Sequence, residues 1–294
     1  MKTALITGAS GLLGQALSQH LESHGWTVRS LGRGATGSGR WHWDPDKGIL
    51  PVEALEGADA VVHLAGESLI GRWTASKRKR ILESRVVGTR LLAERIASMD
   101  QPPAVLISAS GAHCYPADGE IHDETSGTGE GFLAEVCAAW ESAADPVEAA
   151  GVRLIRLRTG MVVSKDGGAL AQMLLPFKWG LGGPLGSGSQ WMPWIEIDDW
   201  CRLVLWAIEK EAVSGPLNAV SPEPIQQKDF AKALATQLNR PAVLPVPSFV
   251  IKLAMGQMGE EMLLSSLRVI PQKAVDNGFQ FNAASIEAAL KKQL

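Results

Sequence analysis

The chain has 294 residues, long for one compact core and short for two independent domains, and its 46% hydrophobic and 20% charged content excludes global disorder. A formal charge of −3 gives no electrostatic case for nucleic acid or an anionic membrane surface. Three cysteines, Cys114, Cys137 and Cys201, are too few and too scattered for a disulfide framework or a zinc site, so no metal is expected.

The opening MKTALITGAS reads as a buried strand entering a turn, without the apolar core and small-residue cleavage site of a signal peptide. No uninterrupted apolar run approaches the roughly 18 residues needed to cross a bilayer. The expectation is a soluble, cytoplasmic protein. Residues 2–7 form the first strand, and 14–24 a helix with Leu13, Leu17 and Leu21 four apart, stopped by Gly25. A second strand covers 27–31, a Gly/Asp/Trp-rich loop 32–48, and a third strand 59–64, ending at Ala65-Gly66. A long helix follows over 75–97, a strand over 104–108, a helix over 130–150, and an alternating strand with interleaved arginines over 152–157. Strands alternating with helices predict an α/β fold with a Rossmann-like, doubly wound parallel sheet.

After Gly160 the composition shifts: GLGGPLGSGSQWMPWIEIDDW is glycine-rich, then aromatic, then acidic. A helix is expected over 199–209, a short strand over 215–220 and a proline-punctuated connector over 241–247. An amphipathic helix is expected over 250–266, with a last short helix from Ser285. This divides the chain into a cofactor-binding Rossmann domain over 1–165, a smaller substrate lobe over 166–247 interleaved with it, and a helical module over 248–294.

Gly8-Ala9-Ser10-Gly11-Leu12-Leu13-Gly14 lies between the first strand and the first helix. In that context glycines permit a tight turn and close approach of a pyrophosphate, and the helix N-terminus supplies unpaired N–H groups. The alternative is a glycine turn that merely packs helix on strand. At the end of the second strand an acid would select a ribose hydroxyl and an arginine a 2′-phosphate. Ser30-Leu31-Gly32-Arg33 has no acid and places Arg33 there, with Arg29 and Arg40 as helpers. The reading is NADP(H) over NAD(H).

The Gly-x-x-Gly-x-x-Gly turn, the strand end His63-Leu64-Ala65-Gly66 and the serines Ser108 and Ser110 resemble the extended short-chain dehydrogenase/reductase superfamily. Arg72-Trp73, Ser84-Arg85-Val86, FLAEVCAAWE, GLGGPLGSGSQWMPWIEIDDW and GFQFN look like its "epimerase family" branch of NAD(P)-dependent epimerase/dehydratase-like proteins, with a C-terminal module of unknown function. Glu196 stands where that branch usually has a histidine. The resemblance implies a cofactor site at Gly8, Ser10, Gly11, Leu12, Leu13, Gly14, Arg33, Leu64, Ala65, Gly66 and Ser108. It also implies a homodimer through the helices at 75–97 and 130–150.

The superfamily's chemistry uses a serine, a tyrosine and a lysine four residues later, the lysine lowering the tyrosine pKa for proton exchange. Ser110 matches the serine. With Glu141 setting the register, Leu133 and Cys137 stand at the tyrosine and lysine positions, as the branch commonly lacks the pair. Leucine has no proton to give, and a thiol supplies no stable positive charge. Tyr115, the only tyrosine, is either a replacement proton donor beside Ser110 or a packing residue bonded to backbone. His113 reads as a solvent-facing loop histidine, His63 as buried and structural, and Cys137 as a small hydrophobe beside the cofactor.

Lys77 to Arg80 form a solvated helix face without the aromatic platform of a nucleic-acid site. Arg85 with Arg72 could grip an anionic group of a small-molecule substrate. Trp191 and Trp194 are read as pocket walls, with a packed core as the alternative; Trp200 and Trp206 are read as core. Two functions remain open. One is an NAD(P)-dependent nucleotide-sugar epimerase or oxidoreductase with an atypical active site. The other is an NADP(H)-binding sensor or regulatory protein without turnover, a role suggested by the cell-division label of some relatives.

Overall fold

Neighbouring residues of the first strand are buried in different cores. In β1 (Thr3–Thr7), Ala4 and Ile6 join one apolar cluster and Leu5 the other, because side chains alternate across a strand. The same split recurs at Val62 against Val61 and at Ile107 against Leu106. A sheet apolar on both faces must be covered on both, as parallel sheets are. Helix α1 (Leu12–Ser23) covers the first face with Leu17 and Leu21, and α2 (Ala75–Ala97) covers the second with Leu92 and Ile96.

The computed structural model describes residues 2–34 and 37–294; Met1, and Ala35 and Thr36 within the expected 32–48 loop, lie outside the described residues. The central sheet has seven parallel strands: β1, β2 (Thr27–Gly32), β3 (Arg40–His42), β4 (Ala60–His63), β5 (Val105–Gly111), β6 (Arg153–Thr159) and β7 (Gly215–Ala219). Their order is β7-β6-β5-β4-β1-β2-β3. The chain runs outward from β1 to β3 and returns to β4 on the other side of β1. The β1/β4 junction is therefore the topological switch point, where the carboxyl ends of the strands open a crevice. Strand β3 falls within the run expected to be loop, where Arg40–His42 pairs beside Ser30–Gly32.

Two expected helices are broken. The 130–150 helix stops at Ser142 as α3 (Phe132–Ser142), and a short α4 (Asp145–Ala149) starts around Pro146. Proline lacks the N–H that would continue the ladder and disfavours the helical conformation of the residue before it. The 250–266 helix is α8 (Ser248–Met255), ended by Gly256 at φ 60°; a wide turn over Glu260–Leu264 and a strand, Ser266–Val269, follow. That strand pairs in parallel with Asp118–His122.

The smaller lobe is built on α5 (Gly168–Lys178) and α7 (Gln227–Gln237), which bury Leu174, Phe177, Phe230 and Leu234 with Trp194. Ile286 and Leu290 of the terminal helix Ile286–Gln293 enter this core, while Phe279 enters the sheet core against α6 (Ile197–Glu209). Residues 248–294 thus contribute to cores shared with both lobes. Glu196 is wholly buried and caps α6, accepting from the Asp198 and Asp199 amides at 3.0 and 3.3 Å. Lys292 and Gln293 reach the same carboxylate at 3.1 and 2.6 Å, which ties the terminal helix to α6. Among the described residues no helix is long and apolar enough to cross a membrane.

Candidate functional site

The switch point is closed by backbone. Gly8 has φ 71°, and a Cβ there would stand 2.9 Å from the Ala65 nitrogen and the Leu64 carbonyl carbon. A Cβ on Gly14 would collide with the Gly8 carbonyl oxygen. Thr7 Oγ1 accepts the Leu64 and Ala65 amides, each at 3.1 Å, and bonds His63 Nδ1 at 2.6 Å. Helix α1 starts from Gly11 with no side-chain cap, so the first amides of the helix at Leu12, Leu13 and Gly14 keep their anion-binding capacity. Ser10 lies exposed on the same turn. Side chains would fill this cradle, and glycine leaves it open to a diphosphate.

Arg33 follows β2 directly, is exposed, and makes no ion pair or side-chain hydrogen bond among the described residues. Arg40 is exposed on neighbouring β3. Arg29, the other expected helper, is committed elsewhere: Nη1 donates to the Glu56 carbonyl at 2.6 Å, and the guanidinium lies 5.7 Å from the Trp41 ring centre. Gly66 is exposed beside Arg85. Ser108 is buried next to His63 in the β4–β5 register, and neither its Oγ nor His63 Nε2 has a hydrogen-bond partner among the described residues.

From Leu12, Leu13 and Leu64 a cavity of about 520 Å³ runs past Ala109–Gly111 into the smaller lobe. Ser110, His113, Leu133, Cys137 and Trp191 line it. His113 sits in the single turn Ala112–Cys114 after β5, half-buried and with no hydrogen bond to the described residues. It does not face solvent as the loop position suggests. Burial lowers its pKa to about 4, against the opposing pull of the Glu261 charge, so the ring is neutral at physiological pH. Cys137 donates to the Gly111 carbonyl at 3.6 Å, and burial raises its thiol pKa to about 11, the state of an inert space-filler.

Tyr115 does not reach the cavity. It is 2% exposed, its hydroxyl donates to Asn218 Oδ1 at 2.8 Å and accepts from Arg158 Nη1 at 2.9 Å, and burial pushes its pKa up. Arg158 also grips Glu141 twice at 2.8 Å, and Ser110 Oγ donates to Glu141 Oε1 at 2.7 Å. Ser110 and Tyr115 are therefore joined through a buried ion pair, with only the serine at the cavity wall. Of the expected anion grip, Arg72 is exposed and outside the cavity lining. Arg85 lines the cavity, but its Nη1 donates to the Glu67 and Ile81 carbonyls at 3.0 and 3.1 Å and its guanidinium lies 4.9 Å from the Trp140 ring centre. Trp194 is core rather than pocket wall: it is 1% exposed, and its ring N–H donates to the Glu223 carbonyl. Trp206 packs on Phe279 as core, whereas Trp200 is buried and still touches the cavity.

Residues 4–219 match the profile of the NAD dependent epimerase/dehydratase family, and residues 246–293 match a domain of unknown function, DUF1731. The chain belongs to the NAD dependent epimerase/dehydratase family. The epimerase family protein SDR39U1 of Homo sapiens is 37% identical over 293 residues, covering 98% of each chain. The crystal structure of that human protein (isoform 2) with NADPH superposes at a TM-score of 0.90 with 35% identity, covering 99% of this chain and 98% of that one. The nucleoside-diphosphate sugar epimerase from Corynebacterium glutamicum superposes at 0.84 with 36% identity, covering 100% of this chain and 58% of that one.

The cavity meets α3 at Leu133 and Cys137, the two positions that the resemblance assigns to the superfamily's proton-transfer pair. Two site features escape the sequence reading. Arg158 lies one residue past the strand expected over 152–157; β6 extends to Thr159 and buries it, a position that demands a partner. Glu261, in the C-terminal segment, caps α3 by accepting the Phe132 and Leu133 amides at 3.2 and 2.8 Å. Nothing local in the sequence links residues so far apart.

Proposed function

We propose that the protein is an NADP(H)-dependent oxidoreductase that exchanges hydride with a carbonyl or hydroxyl compound without a tyrosine–lysine pair. The observation that carries this reading is continuity: Leu12, Leu13 and Leu64 of the glycine cradle line the same cavity as Ser110 and His113. The glycine turn and the uncapped α1 N-terminus would hold the diphosphate, and Arg33 with Arg40 the 2′-phosphate. The NADPH in the human relative supports this preference. A bound nicotinamide supplies or accepts the hydride.

The remaining work falls to the chain's own residues. Leu133 and Cys137 keep that wall dry, which strengthens polar contacts inside it. The neutral His113 ring offers an N–H hydrogen bond to the substrate oxygen while hydride moves, water supplies or takes up the balancing proton, and Ser110, on the same cavity wall, is held by the Glu141 carboxylate. Tyr115 is spent on Arg158 and Asn218.

Turnover of NADPH with a panel of carbonyl compounds tests this. His113→Phe should lower kcat by roughly a hundredfold or more, the usual scale for losing one hydrogen-bond donor to a developing oxyanion. Tyr115→Phe should leave kcat within about twofold while lowering stability by about 1–3 kcal/mol, since it strips a partner from buried groups. The reverse pattern overturns the assignment. Tight NADPH binding without turnover across the panel overturns the enzymatic reading in favour of a cofactor-binding sensor.

A further inference from the structure

Six of the eight methionines in the chain, Met161, Met173, Met192, Met255, Met258 and Met262, line this one cavity. They come from four separate segments, so no single amphipathic helix accounts for their convergence. Methionine is unbranched and polarizable, and it moulds itself to apolar ligands of varied shape. Among the described lining residues there is no lysine, aspartate or glutamate, and the one cation, Arg85, is already bonded to two carbonyls and stacked against Trp140.

We propose that the substrate end of the cleft takes an elongated apolar molecule bearing a single carbonyl or hydroxyl group, and that it excludes nucleoside diphosphate sugars. The proposal deepens the oxidoreductase reading above and rests on it for the reaction. A diphosphate would carry its charges into a space with no uncommitted cation, at a desolvation cost that the thioethers cannot offset. Of the two other long helix starts on the cavity wall without a side-chain cap, that of α7 at Gln227 has its first two amides taken by the Gln190 and Gly188 carbonyls at 3.0 and 2.8 Å, which leaves the start at Gly168 of α5. It lies against Leu12, with Cβ positions on Gly167 and Gly168 only 3.4 and 3.5 Å from the leucine methyls, and so belongs to the dinucleotide end. Of the polar lining groups, His113 has no hydrogen-bond partner among the described residues, Ser110 is held by Glu141, Thr159, Gln227 and Ser265 are bonded within the protein, and Gln172 is exposed on α5. That provision suits one oxygen. The rim agrees, because α8 ends in the lining residue Met255 and exposes Phe249 and Leu253, which are 69% and 76% accessible.

The test is calorimetric titration of the full-length protein, with and without saturating NADPH, using methyl ketones lengthening from butanone to undecanone, and separately UDP-glucose. Burial of each added methylene should tighten binding roughly threefold until the cavity is full, and UDP-glucose should not bind measurably. Met258→Gln and Met262→Gln, at half-buried positions that tolerate a polar residue, should flatten the chain-length dependence while leaving NADPH affinity unchanged. A flat ketone series, or UDP-glucose binding more tightly than undecanone, overturns the proposal. A rising series with no reduction of any ketone keeps the ligand class and sinks the oxidoreductase reading. Failure to bind NADPH likewise sinks only that reading, because the cofactor-free titration still reports the ligand class.

Discussion

Arg33 tests the cofactor preference with a single side chain. It is exposed and unpaired among the described residues, so removing it disturbs no folded contact. A guanidinium–phosphate contact is charge-assisted and worth about 1.5–3 kcal/mol. Arg33→Ala should therefore weaken NADPH binding by roughly tenfold to a hundredfold and leave NADH binding unchanged, read by fluorescence titration of both. An equal loss for both nucleotides removes Arg33 as the phosphate ligand. The glycine cradle was legible at this scale because it depends on backbone geometry, which glycine spacing announces directly. His113 and Tyr115 were not: the histidine read as solvent-facing lines the cavity, and Tyr115 takes the packed place that was one of its two readings. The spacing puts both on the loop after β5, but a single helical turn over Ala112–Cys114 decides which faces the cavity. Its rotation sends His113 toward the cavity and Tyr115 into Arg158, Asn218 and the stacked ring of His122, 5.9 Å away.

Among the elements, α3 shows how local chemistry and distant chain combine. Its sequence forecasts one helix over 130–150, which the structure ends at Ser142 ahead of Pro146, and its beginning is stabilised from elsewhere. Gly131, at φ 103°, offers no side chain to cap the first turn, and the Glu261 carboxylate takes that place. A negative charge at a helix N-terminus satisfies orphan amides and opposes the positive end of the dipole. Glu261→Ala should lower stability by about 1 kcal/mol in urea unfolding, with faster amide exchange at Phe132 and Leu133. Unchanged exchange at those two amides would show that the cap contributes nothing. Helix α8 carries the complementary lesson: the apolar period over 250–266 continues past Gly256, but its left-handed backbone ends the helix. The residues after it turn into the cavity wall and a strand. Hydrophobic periodicity reports which residues are buried, and not which element buries them.

For the molecule as a whole, the α/β architecture was readable because strands buried on both faces are continuous apolar runs between helices. The sharing of cores was not readable, since Phe279 and Leu290 reach their partners across the whole chain. The same burial sets a global pH response. His63 is wholly buried in β4, and burial, helped by the positive charge of Arg85, holds its pKa down to about 4. In the unfolded chain it titrates near about 6.5. Between those values the unfolded state binds more protons than the native state, so stability rises with pH across that window. The contribution is complete above about pH 6.5, is lost progressively toward about pH 4, and does not change further below it. One such imidazole amounts to about 3 kcal/mol over that range, and His113, held down to about the same value, adds a comparable share of the same sign. Glu124, whose carboxyl burial pushes up, works in the opposite sense near the acid end. The exposed carboxylates Asp118 and Asp123, held below the usual range chiefly by hydrogen bonds from His122 and Thr125, lose their contributions only at lower pH. Urea unfolding free energies between pH 7 and pH 4 should therefore fall by about 3 kcal/mol or more. In His63→Asn, which keeps an acceptor for the Thr7 hydroxyl, about half of that slope should vanish. If the variant retains the slope, neutral burial of His63 is not what makes the fold acid-sensitive.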